Sequence, residues 1–170
     1  MLTKKNIFIK SIFDFISSFF GLLLMSWIIF IAWIIASVET RSNGFFIQKR
    51  VGKNGKLFNL IKIKTMRNLD SVIISDDTRL TKSGFFLRKT KIDELPQLWN
   101  VLIGDMSLVG PRPDIIGYAD KLEGKDRIIL RINPGITGPA SLKFKNEEKV
   151  LKNQLDPQKY NDEIIWPSKV

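Results

Sequence analysis

Two adjacent carboxylates, Asp93 and Glu94, come immediately before an apolar run that is typical of a helix. Basic residues surround this pair along the chain, at Arg79, Arg88, Lys89, Lys91 and Arg112. Proline on both sides of Arg112 restricts the backbone, so its guanidinium group is partly oriented before a ligand arrives, which suits bidentate recognition of phosphate. These residue types predict a site that handles a phosphate group. The alternative is an ordinary helix start beside solvated arginines.

The composition narrows the chemistry that such a site can use. The 170-residue chain has 27 Lys and Arg against 17 Asp and Glu, a net charge of +10, which predicts a polyanionic partner: nucleic acid, anionic lipid or a phosphorylated substrate. Cysteine is absent, which excludes disulfides, thiolate nucleophiles and zinc–thiolate sites. Histidine is absent too, so catalysis must use carboxylates, lysine, tyrosine, hydroxyl groups or a metal held by oxygen ligands.

Residues 1–40 are predicted to form a membrane-anchoring helix, and residues 41–170 a globular domain. The uncharged run 15–38 would extend about 36 Å as a helix, enough to cross a hydrocarbon core of about 30 Å. Basic residues flank both ends, and the positive-inside rule assigns both flanks to the cytoplasmic side. This symmetry favours a re-entrant helix. The lack of any proline before Pro96 leaves a single spanning helix as the alternative.

Residues 45–66 are predicted to form a β-hairpin, because Asn54-Gly55 is a tight-turn signal between two apolar segments. In the second strand, Lys62 and Lys64 project away from the apolar residues. They form either a solvated face or a basic rim that faces phosphates.

The polar segment 67–83 is predicted to be a loop. Thr78 and Arg79 lie near its end, where they could touch a substrate. Asp76 and Asp77 are interpreted as turn residues in preference to metal ligands.

Pro96 places the start of the next helix near Ile92–Asp93, because proline is tolerated in a first turn but not in a helix interior. Asp93 would then lie at or beside the N-cap, where the helix dipole keeps a carboxylate ionised and attracts a phosphate. Further along, residues 114–132 are predicted to be helical, with a break at Gly124 before residues 126–132, and 135–138 to form a glycine-containing loop. The predicted fold is α+β: a membrane-embedded helix and a small domain with a β-hairpin and several amphipathic interfacial helices.

Several motifs recur at distinctive spacing. They start with KSIFDF, continue through FFIQKRVG and FNLIKIKTMR, and are densest in TRLTKSGFFLR, DELPQLWNVLIGDMSLVGPRP and PGITG. The succession of DELPQ, GDMS and GPRP is highly specific. The chain resembles the monotopic phosphoglycosyl transferases, the bacterial sugar transferase family, over most of its length.

The resemblance implies transfer of a sugar-1-phosphate from a UDP-sugar to a membrane polyprenol phosphate, undecaprenyl phosphate, with release of UMP. It implies that Asp93 is the nucleophile of a covalent aspartyl-phosphosugar step and a ligand of Mg²⁺, with Glu94 as its acidic partner. The expected phosphate-binding residues are Arg112, Arg88, Arg79 and Lys62. The expected location is the bacterial inner membrane, with the catalytic domain on the cytoplasmic face and membrane lipids, but not nucleic acid, as partners.

The chain departs from the family pattern in three places. Relatives carry a Ser-Pro pair that bends the membrane helix, whereas Ser26 is followed here by Trp27. Relatives commonly have Arg before PGITG and an aromatic residue after it, whereas this chain has Asn133 and Pro139. Many relatives also continue past the position of Val170, which leaves a short member and a C-terminally truncated one as alternatives.

A function of another class is also compatible with the composition. A non-catalytic, membrane-anchored module could use a basic face to bind anionic lipid or nucleic acid, and its binding would fall steeply with salt. RNA binding has no stacking-aromatic motif to support it. The sequence does not specify which sugar would be carried.

Overall fold

The computed structural model describes residues 3–68, 79–144 and 147–169. Within these residues the fold combines helices with two two-stranded sheets, which confirms the α+β prediction. The helices are α1 (Lys4–Thr40), α2 (Lys82–Thr90), α3 (Gln97–Leu102), α4 (Pro139–Lys143), α5 (Glu147–Lys152) and α6 (Pro157–Tyr160). The strands are β1 (Phe45–Val51), β2 (Leu57–Ile63), β3 (Ser107–Val109) and β4 (Gly135–Thr137).

Helix α1 is one unbroken helix, long and apolar enough to cross a membrane. Thr3 caps its start by accepting a hydrogen bond from the Asn6 N–H, and Arg41 ends it in the left-handed conformation with φ 50°. The bend of the predicted re-entrant helix is absent, because Ser26 is followed by Trp27 and not by proline. The Ser26 hydroxyl donates a hydrogen bond to the Leu23 carbonyl within the helix. Without proline, no backbone hydrogen bond is lost at this point.

One face of α1 packs against the domain that follows it. Near its C-terminal end, Ala32 and Ala36 are buried against Ile63 of β2 and Leu87 of α2. Near its middle, Gly21 lies beside Leu98 of α3, so a side chain there would press on that leucine. The opposite face carries exposed large apolar side chains, including Phe13, Phe19, Leu23, Leu24, Trp27, Phe30, Ile31 and Val38. An exposed apolar face of this size is typical of a surface that contacts a membrane or another protein.

The predicted β-hairpin is confirmed. Strands β1 and β2 pair antiparallel from Phe45↔Ile63 to Val51↔Leu57. The turn needs positive φ at Asn54 (58°) and Gly55 (79°), which these two residue types tolerate best.

Residues 135–138 differ from the prediction of a loop. Gly135–Thr137 form strand β4, which pairs in parallel with β3 at Ser107↔Gly135 and Val109↔Thr137. Gly110 touches the backbone of Gly135 and of Gly138, so a Cβ atom on any of these glycines would clash. Glycine is needed at these positions because the two backbones approach each other closely. The β3–β4 pairing joins residues far apart in sequence, so the local pattern did not reveal it.

The predicted α-helix at residues 114–132 is wrong, although the predicted break at Gly124 is confirmed. Two short 3₁₀ turns occur instead, at Ala119–Lys121 and Asp126–Arg131. Gly117 (φ 105°) and Gly124 (φ 58°) adopt conformations that end a helix, and burial of Ala119 and Leu130 against Val51 fixes the irregular path.

Candidate active site

The corner between α2 and α3 positions the acidic pair. Helix α2 ends at Lys91, whose left-handed backbone (φ 61°) reverses the chain direction. A 3₁₀ turn, Ile92–Glu94, follows, and Pro96 leads into α3. Ile92 packs against the apolar cluster of Ala32, Ala36, Ile63 and Leu87, and these contacts hold the corner in place.

Asp93 is buried, with 7% of its surface exposed, and its Oδ1 atom has no hydrogen-bond partner among the described residues. The predicted helix start near Ile92–Asp93 is confirmed as a 3₁₀ turn, but a capping role for Asp93 is wrong. The chain reverses at Lys91, which places Asp93 inside the turn, and no side chain among the described residues caps α3. Burial, followed by the neighbouring charge of Glu94, raises the pKa of Asp93 above its ordinary value of 3.8. Lys62, Lys91 and Arg88 oppose that rise without cancelling it.

Glu94 lies in a different electrostatic environment. Its Oε1 atom is 3.3 Å from Nζ of Lys62 and 3.5 Å from Nζ of Lys91. Burial alone would raise the pKa of Glu94, but these two lysines outweigh it and hold the pKa below 4.5. The two adjacent carboxyls are thus driven in opposite directions, a pattern typical of acid–base sites.

The basic residues predicted for the site occupy distinct places. Lys62 reaches from β2 to Glu94. Arg88 donates from Nε to the Thr65 hydroxyl at 2.9 Å, and its charge acts on Asp93. Arg112 acts on Glu94 through its charge, although its Nη1 atom lies 3.6 Å from Oε2 of Glu147.

Arg79 lies beside the bridge between Met66 and Leu80, and its carbonyl accepts the Arg67 N–H at 3.0 Å. Its role in phosphate binding stays a prediction. The adjacent residues 76–78, which include the Asp-Asp pair and Thr78, lie outside the described residues.

Four further charged residues gather around Arg112, namely Arg50, Asp114, Glu147 and Lys169, and sequence reasoning did not select them for the site. Arg50 donates to the Pro113 carbonyl at 3.3 Å and to Gln48 at 2.7 Å. Burial raises the pKa of Asp114 to about 6, against the opposing charges of Lys169, Arg112 and Arg50. Glu147 pairs with Lys169 at 2.7 Å as well as with Arg112. Arg50 belongs to the FFIQKRVG motif, which was the available signal; Glu147 carried none.

The acidic pair suits a magnesium ion only in combination with a substrate. Among the described residues no group of three carboxylate, histidine or cysteine side chains lies together. Mg²⁺, however, is commonly held by one or two carboxylates together with substrate phosphate oxygens. The unpartnered, buried Oδ1 of Asp93 fits that role, whereas Oε1 of Glu94 is occupied by two lysines.

Comparison with known proteins identifies the family. Residues 5–164 match the family described as bacterial sugar transferase, and the chain therefore belongs to that family. This confirms the resemblance and does not favour the non-catalytic alternative.

Curated relatives agree with this assignment. An uncharacterized sugar transferase, EpsL, from Bacillus subtilis is 41% identical over 141 residues, covering 81% of this chain and 70% of the relative. The galactosyl transferase CpsE of Streptococcus agalactiae is 36% identical over 180 residues, covering 92% of this chain but 39% of the relative. A UDP-glucose:undecaprenyl-phosphate glucose-1-phosphate transferase of Klebsiella pneumoniae is 39% identical over 147 residues, covering 81% of this chain and 31% of the relative. The chain thus spans less than half the length of the last two.

Proposed function

We propose that this protein transfers a sugar-1-phosphate from a UDP-sugar to undecaprenyl phosphate and releases UMP. The observation that supports this most directly is the buried Asp93 carboxylate, whose Oδ1 has no partner among the described residues and which three basic side chains face. The names of relatives that act on undecaprenyl phosphate support the acceptor and the donor class.

The chemistry proceeds in two displacements. A carboxylate oxygen of Asp93 attacks the β-phosphorus of the donor; an O–P bond forms, the bond to the bridging oxygen breaks, and UMP leaves with the electron pair. A phosphate oxygen of the lipid acceptor then attacks the same phosphorus and displaces the Asp93 carboxylate. The products are UMP and a polyprenyl diphosphate sugar, so atoms and charges balance.

The surrounding residues support these displacements electrostatically. Arg112, Arg88, Lys62 and Arg79 would neutralise charge on the transferring phosphate. Glu94, ionised and bound to two lysines, keeps those lysines beside Asp93. Mg²⁺, when bound at Asp93, would supply further charge neutralisation on the phosphate oxygens.

The proposed location is the cytoplasmic face of the bacterial inner membrane, and the position of α1 supports attachment along a membrane surface. Contacts with the domain extend from Asp14, which accepts from Ser107, to Glu39, which accepts from Ser83, about 38 Å of helix. An upright spanning helix would therefore drag the polar domain into the hydrocarbon core. A helix lying in the headgroup region, with its exposed apolar face towards the acyl chains, leaves the acidic pair level with the acceptor phosphate.

Cysteine labelling tests this placement, because the chain contains no natural cysteine. Lys5→Cys and Lys53→Cys replace exposed residues at the start of α1 and on the hairpin turn. Both variants are expected to react with a membrane-impermeant maleimide from the cytoplasmic side of sealed inside-out vesicles. Reaction of Lys5→Cys from the opposite side only would show that α1 spans the membrane.

Intact-protein mass spectrometry tests the covalent step. After mixing with a UDP-sugar and no acceptor, the protein is expected to gain the mass of one phosphosugar, and the Asp93→Asn variant is not. An unchanged mass, together with acceptor-dependent UMP release by the unmodified protein, would replace the covalent route by direct transfer. Comparing UMP release across a panel of UDP-sugars would identify the sugar.

The acid limb of the pH profile of UMP release is expected to follow ionisation of Asp93, because only the carboxylate attacks phosphorus. The positive charge of Lys62 opposes the rise in the pKa of Asp93. Lys62→Gln removes that charge, so the acid limb should move to higher pH. Lys82→Gln, at an exposed position at the start of α2, serves as the matched control and should leave the limb in place. A limb that stays in place in Lys62→Gln as well would contradict the assignment.

A further inference from the structure

Asp14 is a buried carboxylate at the edge of the uncharged part of α1. Only 7% of its surface is exposed, although the segment that follows it is apolar and carries exposed large side chains. A carboxylate in such surroundings is costly unless it is paired, and an ionisable residue retained there commonly has a function. The motif that contains it, KSIFDF, has no part in the two displacements.

Three groups satisfy Asp14, and two of them belong to β3. The Ser107 hydroxyl donates to its Oδ2 at 2.7 Å, and the Leu108 backbone N–H donates to its Oδ1 at 3.2 Å. Lys10, one turn earlier in α1, approaches Oδ2 at 2.9 Å and also contacts the Ser107 hydroxyl. Both oxygens of the carboxylate are thus engaged, and the helix is joined to the strand by its side chain.

Strand β3 leads directly into the turn that carries Arg112. Gly110 donates its N–H to the Thr137 carbonyl at 2.9 Å, and Pro111 accepts the Gly135 N–H at 2.7 Å. The tight glycine contacts between β3 and β4 leave this segment little room to adjust. A displacement at Ser107 would therefore be transmitted along a stiff segment to Arg112.

We propose that Asp14 is a positioning residue that fixes the Arg112 turn relative to the membrane helix. The contact of Asp14 with Ser107 and Leu108 fixes how far the Arg112 guanidinium group lies from α1. It therefore fixes the position of that group relative to the phosphate of a membrane lipid. This inference rests on the proposed function, because it assigns Arg112 to phosphate recognition.

A double-mutant cycle on the full chain in lipid nanodiscs tests this inference. Asp14→Asn is expected to lower kcat/KM for UMP release by roughly tenfold to a hundredfold, the cost of misplacing a group that contacts the reacting phosphate. In an Arg112→Ala background, the same change should cost little more, because the group it positions is already absent. Ser26→Ala, an outward-facing substitution in the same helix, should leave activity unchanged.

The outcomes separate positioning from a general structural effect. Tryptophan-fluorescence melting and the membrane-bound fraction report folding; if Asp14→Asn does not fold, Ser107→Ala enters the same cycle. Fully multiplicative losses for Asp14 and Arg112, or unchanged activity in Asp14→Asn, would overturn the inference. So would an Arg112→Ala variant with unaltered activity. The proposed function is tested independently with Asp93→Asn: if that variant still releases UMP at the rate of the unmodified protein, the proposed function fails.

Discussion

Asp93→Asn is expected to lower UMP release by at least about a thousandfold while leaving the protein no less stable. Activity is lost because the amide cannot act as the nucleophile. Stability is kept because the native carboxylate is buried and its Oδ1 lacks a partner among the described residues, so ionising it opposes folding. At pH 7 the free energy of unfolding should stay within about 1 kcal/mol of the unmodified protein, or rise. Thermal melting and UMP release, measured on the same preparation, check both parts.

The pH dependence of this effect has a definite sign. A raised pKa in the folded state means that the folded protein binds the Asp93 proton more tightly than the unfolded chain does. Its contribution to stability is therefore present below about 3.8 and is lost as the pH rises through the raised value. Any stabilisation by Asp93→Asn should accordingly appear at neutral pH and vanish in strong acid.

Glu94→Gln is the matched comparison, since the change is chemically the same at the next residue. Its pKa is lowered, so its contribution to stability is present above 4.5 and is lost as the pH falls through the lowered value. Glu94→Gln should therefore lose both activity and stability at pH 7, because the charge that holds Lys62 and Lys91 is gone. Equal stability changes in the two variants would contradict the assignment of opposite environments.

Arg112→Ala is expected to reduce kcat for UMP release about a hundredfold, the usual cost of removing one preorganised group that stabilises transition-state charge. Arg112→Lys should recover only part of the loss, because an ammonium group lacks the planar fork of donors. Folding should change little, since the pair with Glu147 is long, at 3.6 Å, and the arginine side chain is half exposed. Steady-state kinetics with the donor and the acceptor varied separately would measure both variants.

Arg127→Ala provides the control for a lost arginine charge. Arg127 is exposed, donates to the Leu122 carbonyl at 3.1 Å and belongs to the 3₁₀ turn Asp126–Arg131, away from the acidic pair. Its loss lowers the net charge by the same amount, so it reports any general effect of charge on membrane binding. If the two alanine variants lose activity equally, Arg112 has no specific role.

Several features of this protein follow from local sequence alone. Asn54-Gly55 specifies the hairpin turn because these residues tolerate positive φ. The uncharged run 15–38 favours an apolar environment regardless of how the rest of the chain folds. The acidic pair, the basic residues near it and the proline-flanked arginine identify the family without coordinates. Each of these signals lies in one continuous stretch of the chain, so no long-range contact is needed to interpret it.

Other features depend on contacts between residues far apart in sequence. Local reasoning placed Asp93 at or beside a helix cap that would favour its ionised form, whereas the structure places it inside a 3₁₀ turn where burial raises its pKa. Residues 114–132 had an apolar pattern that suited a helix, but packing against the hairpin and two positive-φ glycines produced turns instead.

The difference between Asp93 and Glu94 illustrates the division most clearly. Both carboxyls belong to one motif, and their residue types predict the same chemistry for each. Lys62, from strand β2, reaches Glu94 in the 3₁₀ turn. The Oδ1 atom of Asp93, in contrast, has no hydrogen-bond partner among the described residues. Sequence thus determined which groups are available. Tertiary structure decided the direction in which each pKa shifts, because desolvation and charge pairing depend on neighbours that only the folded chain brings together.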